Sequence, residues 1–294
     1  MAPGGVRRRL RAGGRLLRRP ASERLADDAG VSGPDVGWWR ATAWLCGLGL
    51  LFSAAFAGWP ALDLLAAAAF HDGVGFPLGD TATARTLRIV YRWAFVAACV
   101  GTTAGLLAAL AAPSARRVSW RLWAYPVLLF IVGPGLVANA LLKENWGRAR
   151  PAQIEAFGGE AAFTRPFVIA SECDSNCSFV SGEGSAAAAL AFAGIGLFWA
   201  RLGPAGRAVA AGATALWLLG AAFIRIAPGR HFLSDTLFAF VLMGLVAAFL
   251  YRALGLGPRR AAVGLRDYGR DLAAGALDAA RRVRALRRRG GDRA

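Results

Sequence analysis

Residues 232–253 read FLSDTLFAFVLMGLVAAFLYRA, an apolar stretch with one acid near its start and one arginine near its end. About 20 mainly apolar residues are enough for a helix to cross the hydrocarbon core of a bilayer. Five further stretches of this kind precede it, at residues 41–62, 88–112, 120–142, 184–202 and 206–226. Backbone polar groups inside lipid must be paired within the segment, which a helix achieves. The sequence therefore predicts an all-α fold, a polytopic membrane helix bundle with six transmembrane helices.

The composition supports a membrane protein and argues against a nucleic-acid-binding one. Hydrophobic residues make up 56% of the chain, and the mean hydropathy is +0.43. The formal charge of +17 comes mainly from the two ends, with nine Arg against four acids before residue 41 and twelve Arg against four acids after residue 251. Arg-rich flanks are typical of the positive-inside signal and attract anionic lipid headgroups. No groove-reading or aromatic-basic motif accompanies them, so we expect no nucleic-acid partner.

The charges of the predicted loops indicate how the chain is oriented. With the N-terminus inside, the inside segments are both tails and the loops 113–121 and 201–207, which are rich in Arg. The outside segments, 63–87 and 143–183 with a turn near 225–231, hold most of the loop acids. The positive-inside rule therefore places both termini inside.

This reading divides the chain into three parts. Residues 1–40 are basic, rich in Gly and Pro, and have no signal-peptide apolar core close behind the basic stretch, so we expect a disordered cytoplasmic tail. Residues 41–253 form the membrane domain. Residues 254–294 form a second basic cytoplasmic tail, which is either an amphipathic helix on the inner leaflet or a solvated segment.

Four cysteines fall into two groups. Cys46 and Cys99 lie within apolar stretches and are interpreted as small packing residues. Cys173 and Cys177 share the long outer loop, where an oxidising compartment favours a disulfide between them. The alternatives are two free thiols or half of a metal site, but no nearby Cys/His pair completes a zinc tetrad. We therefore expect no metal.

Three polar stretches fall at the predicted outer face. They are KENWGRARP at 143–151, SFVSGEGS at 178–185 and RIAPGRHFLSD at 225–235. The first contains Lys143, the only lysine in a chain with 35 Lys and Arg residues, and the third contains His231, one of only two histidines. Lys and His are rare in this chain, and their occurrence in these stretches makes the stretches candidates for a functional site.

The first two stretches have the chemistry of a phosphate-binding site. Lys143 and Arg150 are seven residues apart, so on a continued helix they share a face and can both hold a phosphate. Ser181 and Gly182 open a helix, where free backbone N–H groups and the helix dipole favour an anion. The plainer alternatives are a helix end anchored at the headgroups and an ordinary helix cap.

The third stretch has the chemistry of a nucleophile. His231 and Asp235 are one helical turn apart, so the carboxylate can accept one imidazole N–H and leave the other nitrogen free to attack. Pro228-Gly229 breaks the chain after Arg225, which lets Arg225 and His231 turn into one pocket. A surface His–Asp pair is the plainer alternative.

The order and spacing of these residues resemble the type 2 phosphatidic acid phosphatase superfamily. Its first motif, Lys, six residues, Arg-Pro, is complete from Lys143 to Arg150-Pro151. Its third motif, Ser-Arg, five residues, His, three residues, Asp, matches Arg225, His231 and Asp235, with Ile224 in place of the Ser. The second, Pro-Ser-Gly-His, reads Val180-Ser181-Gly182-Glu183 here, so Glu183 replaces the family histidine. The Cys pair followed by Ser-Phe-x-Ser-Gly is similar to branches that act on lipid A or polyprenyl carriers.

The resemblance implies a metal-independent lipid phosphatase without a cofactor. His231 attacks phosphorus and forms a phosphohistidine that water hydrolyses, and Asp235 orients it. Lys143, Arg150, Arg225 and the Ser181-Gly182 backbone stabilise the phosphate oxygens. In the family, the residue at the position of Glu183 protonates the leaving group, but cations beside a carboxylate favour its ionised form. His71 in the first outer loop is a weaker candidate for that acid.

The expected substrate is a membrane lipid of the polyprenyl diphosphate, lipid A or phosphatidate type. The active site is expected to face the periplasm or exterior of the inner membrane. One alternative is a lipid phosphotransferase, which would use the same residues. The other is a catalytically weakened lipid-binding or transport protein, suggested by the replacement of the family histidine by Glu183, although His231, Asp235 and the single Lys143 argue against it.

Overall fold

The computed structural model describes residues 36–111, 117–257 and 263–291. Its helices are α1 (Val36–Gly58), α2 (Ala61–Ala68), α3 (Ala82–Ala111), α4 (Trp120–Lys143), α5 (Gly182–Phe198), α6 (Pro204–Ile226), α7 (Leu233–Ala253) and α8 (Leu265–Gly291). Six of them, α1 and α3 to α7, are long and apolar enough to cross a membrane. The described residues contain no β-strand and a single β-bridge, between Ile154 and Ala161. The prediction of an all-α bundle with six transmembrane helices is confirmed.

The first apolar stretch differs from its expected bounds. Helix α1 begins at Val36, inside the segment predicted as a tail, and ends at Gly58. Pro60, which has no backbone N–H, then starts the separate short helix α2. The expected span at 41–62 is therefore two helices, and α2 carries the buried carboxylate of Asp63. Residues 1–35, on which the predicted disorder falls, lie outside the described residues.

Helix α4 changes its winding along its length. It is an α-helix from Trp120 to Phe130 and a π-helix from Ile131 to Lys143. Pro134 lies within the wider part and has no N–H to donate, while Asn139 Nδ2 donates to the Pro134 carbonyl at 2.7 Å. Such wide turns are frequently found at functional sites. In this protein the π-helical part ends at Lys143.

Small residues let the helices approach closely in the core, as is common in membrane bundles. A Cβ at Gly133 would lie 2.6 Å from Met243 Sδ, and one at Gly196 would lie 2.6 Å from the Tyr125 hydroxyl. Helix α7 is the most buried of the six spans, with 61% of its window inside the bundle. Because α7 is central, the polar residues at its start are surrounded by the ends of the neighbouring helices.

The C-terminal tail contains a docked helix. Asp271 of α8 is buried and accepts hydrogen bonds from the backbone amides of Arg117, at 3.1 Å, and Val118, at 2.9 Å. Tyr268 packs edge-on against Trp123 with ring centroids 4.9 Å apart. Of the two alternatives for this tail, the helical one is therefore observed over Leu265–Gly291. Its position on the inner leaflet and the sidedness of the bundle stay predictions.

Candidate active site

Backbone hydrogen bonds join the three polar stretches at one end of the bundle. They run from Cys177 N to Lys143 O (3.1 Å), Ser178 N to Arg148 O (2.8 Å), Ser181 N to Asp235 O (3.1 Å) and Ala152 N to Gly229 O (3.0 Å). Residues far apart in the sequence are thus held together by the main chain, independently of their side chains. The structure brings together the side chains predicted for this site.

The route from Lys143 to Arg150 is not the predicted one. The helix ends shortly after Lys143, and the chain turns at Gly147, which has φ +62° and would place a Cβ 1.7 Å from the carbonyl oxygen of Ala170. The interpretation that both cations share a face of one continued helix is therefore wrong. They converge on Asn176 instead, where Lys143 Nζ donates to Oδ1 at 2.8 Å and Arg150 Nη2 donates to the main-chain oxygen at 2.7 Å.

Arg225 supplies a third cation from the last turn of α6. Its carbonyl oxygen accepts the His231 amide at 3.1 Å, so the guanidinium and the imidazole start from neighbouring points of the main chain. Gly229, with φ +63°, makes the intervening turn possible and lies against the ring of Phe76. Arg225 Nε is buried and has no hydrogen-bond partner among the described residues. An unpaired buried donor of this kind suits a bound anion.

The N-terminus of α5 provides backbone donors beside these cations. Ser181 caps the helix by accepting the Gly184 amide at 3.1 Å, which agrees with the plainer alternative for its side chain. The amides of Gly182 and Glu183 have no partner within the part of the chain that the structure describes. Gly182 also allows close packing, because a Cβ there would lie 3.3 Å from Lys143 Cε. The free amides and the Lys143 side chain are therefore neighbours.

His231 is buried and oriented for attack through one nitrogen. Nδ1 lies 2.7 Å from the carbonyl oxygen of Ser178, which can only accept, so Nδ1 carries the hydrogen. Nε2 is buried and has no partner among the described residues. Burial lowers the pKa of His231 to about 4, with the cations Arg225 and Lys143 acting in the same direction and Asp235 opposing them. At neutral pH the imidazole is therefore neutral, with a free lone pair on Nε2.

The relation between His231 and Asp235 also differs from the expected one. His231 precedes α7 rather than lying within it, and its Nδ1 is 3.8 Å from Asp235 Oδ2. The carboxylate is not the hydrogen-bond partner of the ring, so that interpretation is wrong in detail. Oδ2 instead accepts the Phe232 amide at 2.8 Å and the hydroxyl of Ser178, the residue whose carbonyl holds the ring. Asp235 acts on His231 through its charge and through Ser178.

Arg148 is a central residue that the sequence interpretation missed. Its side chain is fully buried, and its guanidinium bonds to Asp235 Oδ1, to Ser234 Oγ at 2.9 Å and to Asp63 Oδ2 at 2.8 Å. It lies two residues before Arg150, in the GRARP segment at 147–151 that ends the first polar stretch, so the signal was within a stretch already marked as a candidate.

Asp63 is the first residue of segment 63–87, which the sequence predicts as an outer loop. It is fully buried, and its carboxylate also accepts the Ser234 amide at 2.8 Å and the Ser234 hydroxyl at 2.6 Å. Burial raises the pKa of Asp63, while the positive charge of Arg148 opposes the rise. The sequence shows only an acid three residues after Pro60, which does not indicate that its carboxylate is buried against Arg148.

Glu183 is held in an ion-pair cluster. Its carboxylate binds Arg88 through Nη2 at 2.7 Å and Nε at 3.0 Å, and it binds Arg225 Nη1 at 2.9 Å. Arg88 comes from α3 and belongs to none of the three stretches, so sequence reasoning did not find it. A carboxylate shared by two guanidinium groups is stabilised in its ionised form.

The remaining predicted residues occupy clear positions. His71 packs against Phe76 and Phe157, with ring centroids 5.1 Å apart in both pairs, and the structure records no contact between His71 and Glu183 or His231. Cys173 and Cys177 form a disulfide, with Cα atoms 5.7 Å apart. Among the described residues, no group of three His, Cys, Asp or Glu is arranged to hold a metal ion.

Comparison with known proteins shows the family to which the chain belongs. The model of the PAP2 superfamily matches residues 121–256. The chain is 34% identical over 223 residues to the lipid A 4'-phosphatase of Rhizobium leguminosarum, which covers 72% of the chain and 91% of that relative. It is 34% identical over 212 residues to the lipid A 4'-phosphatase of Rhizobium etli, which covers 67% of the chain and 77% of the relative.

A third relative has a higher identity over a shorter region. The lipid A 4'-phosphatase of Francisella tularensis subsp. novicida is 41% identical over 128 residues, and the chain spans only 54% of that protein. No solved structure matches the chain significantly. The chain belongs to the PAP2 superfamily, in the branch that contains these relatives. It is a membrane lipid phosphatase.

Proposed function

We propose that this protein hydrolyses a phosphate ester of lipid A or of a similar phosphorylated glycolipid, with His231 as the nucleophile. The observation that carries the proposal is the buried, neutral imidazole whose Nε2 has no partner among the described residues, next to cations. The names of the three relatives support a glycolipid substrate.

The proposed reaction has two displacements at phosphorus. In the first, Nε2 of His231 forms a bond to phosphorus while the bond from phosphorus to the lipid oxygen breaks. That oxygen takes a proton from solvent water and is released as an alcohol. In the second, water attacks the phosphohistidine, the phosphorus–nitrogen bond breaks and inorganic phosphate leaves. Phosphorylated imidazole is positively charged while Nδ1 keeps its hydrogen, and the negative Asp235 stabilises that charge.

The phosphate-binding groups stabilise the charge that spreads over the equatorial oxygens in each step. Lys143, Arg150 and Arg225 provide three cations, and the amides of Gly182 and Glu183 provide fixed donors. Binding an anion would also satisfy the unpaired Nε of Arg225. These groups are preorganised by the bonds described above, so little reorganisation is needed during the reaction.

Glu183 is proposed to position cations rather than to donate the proton. Its carboxylate is already bound by Arg88 and Arg225, an arrangement that holds it ionised. Expulsion of a leaving group that carries negative charge well depends less on an acid. A lipid diphosphate or a glycosyl 1-phosphate is therefore expected to react faster than phosphatidate or a sugar 4'-phosphate, whose leaving groups are both ordinary alcohols. Polyprenyl diphosphate is the alternative substrate.

The site is proposed to face the periplasm or exterior, with the basic N- and C-terminal segments at the cytoplasmic side of the inner membrane. The positive-inside charge distribution and the Cys173–Cys177 disulfide support this side.

The test is release of inorganic phosphate by purified protein in detergent from lipid A, polyprenyl diphosphate and phosphatidate, with and without a chelator. We expect release from lipid A that is insensitive to the chelator and lost in His231→Asn. The matched control is His71→Asn, which removes the other histidine and should keep most of the activity. Retention of activity by His231→Asn would refute the nucleophile, and transfer of phosphate to a second lipid without free phosphate would indicate the phosphotransferase.

A further inference from the structure

The active-site end of the bundle carries more positive charge than one phosphate group needs. The charges that act on one another there are those of Lys143, Arg88, Arg92, Arg150, Arg225 and Arg230, with Glu183 and Asp235 as the acids. Asp235 belongs to the buried group with Arg148 and Asp63, which together carry a net charge of −1. The six cations are therefore opposed by one negative charge from this buried group and one from Glu183, which leaves a net charge of +4.

Like charges held this close repel one another, so a multivalent anion is the expected occupant. Burial lowers the pKa of Arg150 and the charges of Arg230 and Arg88 lower it further, while those of Asp235 and Glu183 raise it. A phosphate monoester carries a charge close to −2 at neutral pH. One such group, held by Lys143, Arg150 and Arg225, would therefore neutralise only half of the excess.

The remaining cations form a distinct group at the rim of the site. Arg88 has 51% of its side chain exposed, although it binds Glu183, and Arg92 is exposed one helical turn further along α3. Arg230 is also exposed, next to His231 in the turn before α7. Glu183, bound by both Arg88 and Arg225, connects this rim group to the buried cations.

The length of helix α3 allows these arginines to lie at the level of the lipid headgroups. Its 30 residues are more than a bilayer core requires, and Arg88 and Arg92 lie in its first three turns, near the end at which Lys143 and His231 are found. Both residues precede the region that matches the PAP2 superfamily, which begins at residue 121.

We propose that Arg88 and Arg92 form a second anion subsite that binds another lipid phosphate group while the first reacts at His231. This inference rests on the proposed function and narrows its substrate to a lipid that carries two phosphate groups. A single-phosphate substrate beside an anionic headgroup of a neighbouring lipid would supply the same chemistry, and the experiment separates the two sources.

The experiment compares lipid A bearing two phosphate groups with lipid A bearing only the 4'-phosphate, in a non-ionic detergent at low salt. The quantity measured is the ratio of kcat/KM for the two substrates. We expect the wild type to favour the doubly phosphorylated lipid by about tenfold. Arg88→Gln and Arg92→Gln should each reduce this ratio about two- to fivefold, as for partly exposed charge pairs. Higher salt should reduce the wild-type ratio, because exposed charges are screened.

The matched control is Arg85→Gln. Arg85 is exposed on the same helix, and the structure records no bond between it and Glu183. This variant removes the same charge from α3 and should leave the ratio unchanged. Equal reduction of the ratio by all three variants would indicate general attraction to the helix and overturn the subsite.

A second arm adds phosphatidylglycerol to the singly phosphorylated substrate. If it raises kcat/KM to the value for the doubly phosphorylated lipid, and Arg88→Gln abolishes the rise, the second phosphate comes from a neighbouring lipid and the assignment to the substrate is overturned. A wild-type ratio near one, without phosphatidylglycerol activation, would overturn the subsite itself.

Failure of the proposed function would give a result that can be distinguished from failure of the subsite. In that case the wild type releases phosphate from neither lipid. Binding of both lipids to His231→Asn, measured by displacement of a fluorescent lipid, would still test the subsite through the same affinity ratio and the same three arginine variants.

Discussion

Arg148 is the cation on which the buried polar network behind His231 depends. Replacing it with Met keeps a long side chain but removes the charge shared by Asp63 and Asp235. The variant therefore leaves two carboxylates buried without their partner, and it also removes the donors to Ser234 and to the Thr164 carbonyl. We expect Arg148→Met to destabilise the protein strongly.

The structure also indicates the size of this effect. Removing one partner of a buried ion pair costs about 3–5 kcal/mol. The pKa of Asp63 is already raised by burial, so this carboxylate is able to become neutral when Arg148 is absent. Protonation relieves part of the cost, and the lower end, about 3 kcal/mol, is expected at neutral pH.

The pH dependence has a definite sign. In the variant, Asp63 binds a proton more readily in the folded than in the unfolded state, so lowering the pH favours folding of the variant relative to the wild type. The destabilisation by Arg148→Met should therefore be smaller at pH 5 than at pH 8.

The assay is the free energy of unfolding in mixed micelles, titrated with a denaturing detergent and followed by Trp fluorescence. Arg165→Met is the matched control, because Arg165 is an exposed arginine of the same outer loop and its loss should change stability by less than about 0.5 kcal/mol. A double variant with Asp63→Asn should lose less than the sum of the single changes. A loss below about 1 kcal/mol for Arg148→Met, or a loss independent of pH, would refute the reasoning.

Three further predictions concern the site. In protein labelled with ¹⁵N-histidine, His231 should stay neutral down to pH 5.5 and titrate near the pKa of about 4 that burial gives it. Because its unfolded pKa is 6.5, its contribution to stability is complete above pH 6.5 and is lost as the pH falls towards 4. Titration near 6.5 would contradict this. Glu183→Gln should slow release from a lipid diphosphate less than tenfold, since the carboxylate holds Arg88 and Arg225, and a loss above a thousandfold would identify Glu183 as the acid. After mild reduction of intact cells, a membrane-impermeant thiol reagent should label Cys173 and Cys177; labelling only after the inner leaflet is opened would reverse the topology.

The membrane fold was predictable because apolar length is a property of the sequence alone. Six stretches of spanning length correspond to six helices. Their ends differ by a few residues, where Pro60 separates α1 from α2 and where the Thr81 hydroxyl accepts the Ala84 amide at the start of α3. The long π-helical part of α4 was not predictable, since it depends on how Pro134 and Asn139 pack within the bundle.

The site was predictable where it lay within short motifs and was missed where it depended on distant contacts. Lys143, Arg150, Arg225 and His231 follow one another at fixed spacing, so sequence located them. The partners that determine their surroundings come from elsewhere: α2 contributes a buried carboxylate and α3 an arginine, and nothing in their local sequence shows what they contact. The turn at Gly147 likewise gives Lys143 and Arg150 a geometry that their spacing did not predict.

The central claim, attack by His231 on a lipid phosphate, is tested most directly by trapping the covalent intermediate. Protein mixed with lipid A carrying a ³²P-labelled 4'-phosphate is quenched with alkali within the first turnover and analysed for protein-bound label. Phosphohistidine survives alkali and is lost in acid, so the account predicts alkali-stable, acid-labile label on a peptide containing His231. The label should persist in His71→Asn and be absent in His231→Asn. Phosphate release at the wild-type rate with no label on His231 would contradict the account.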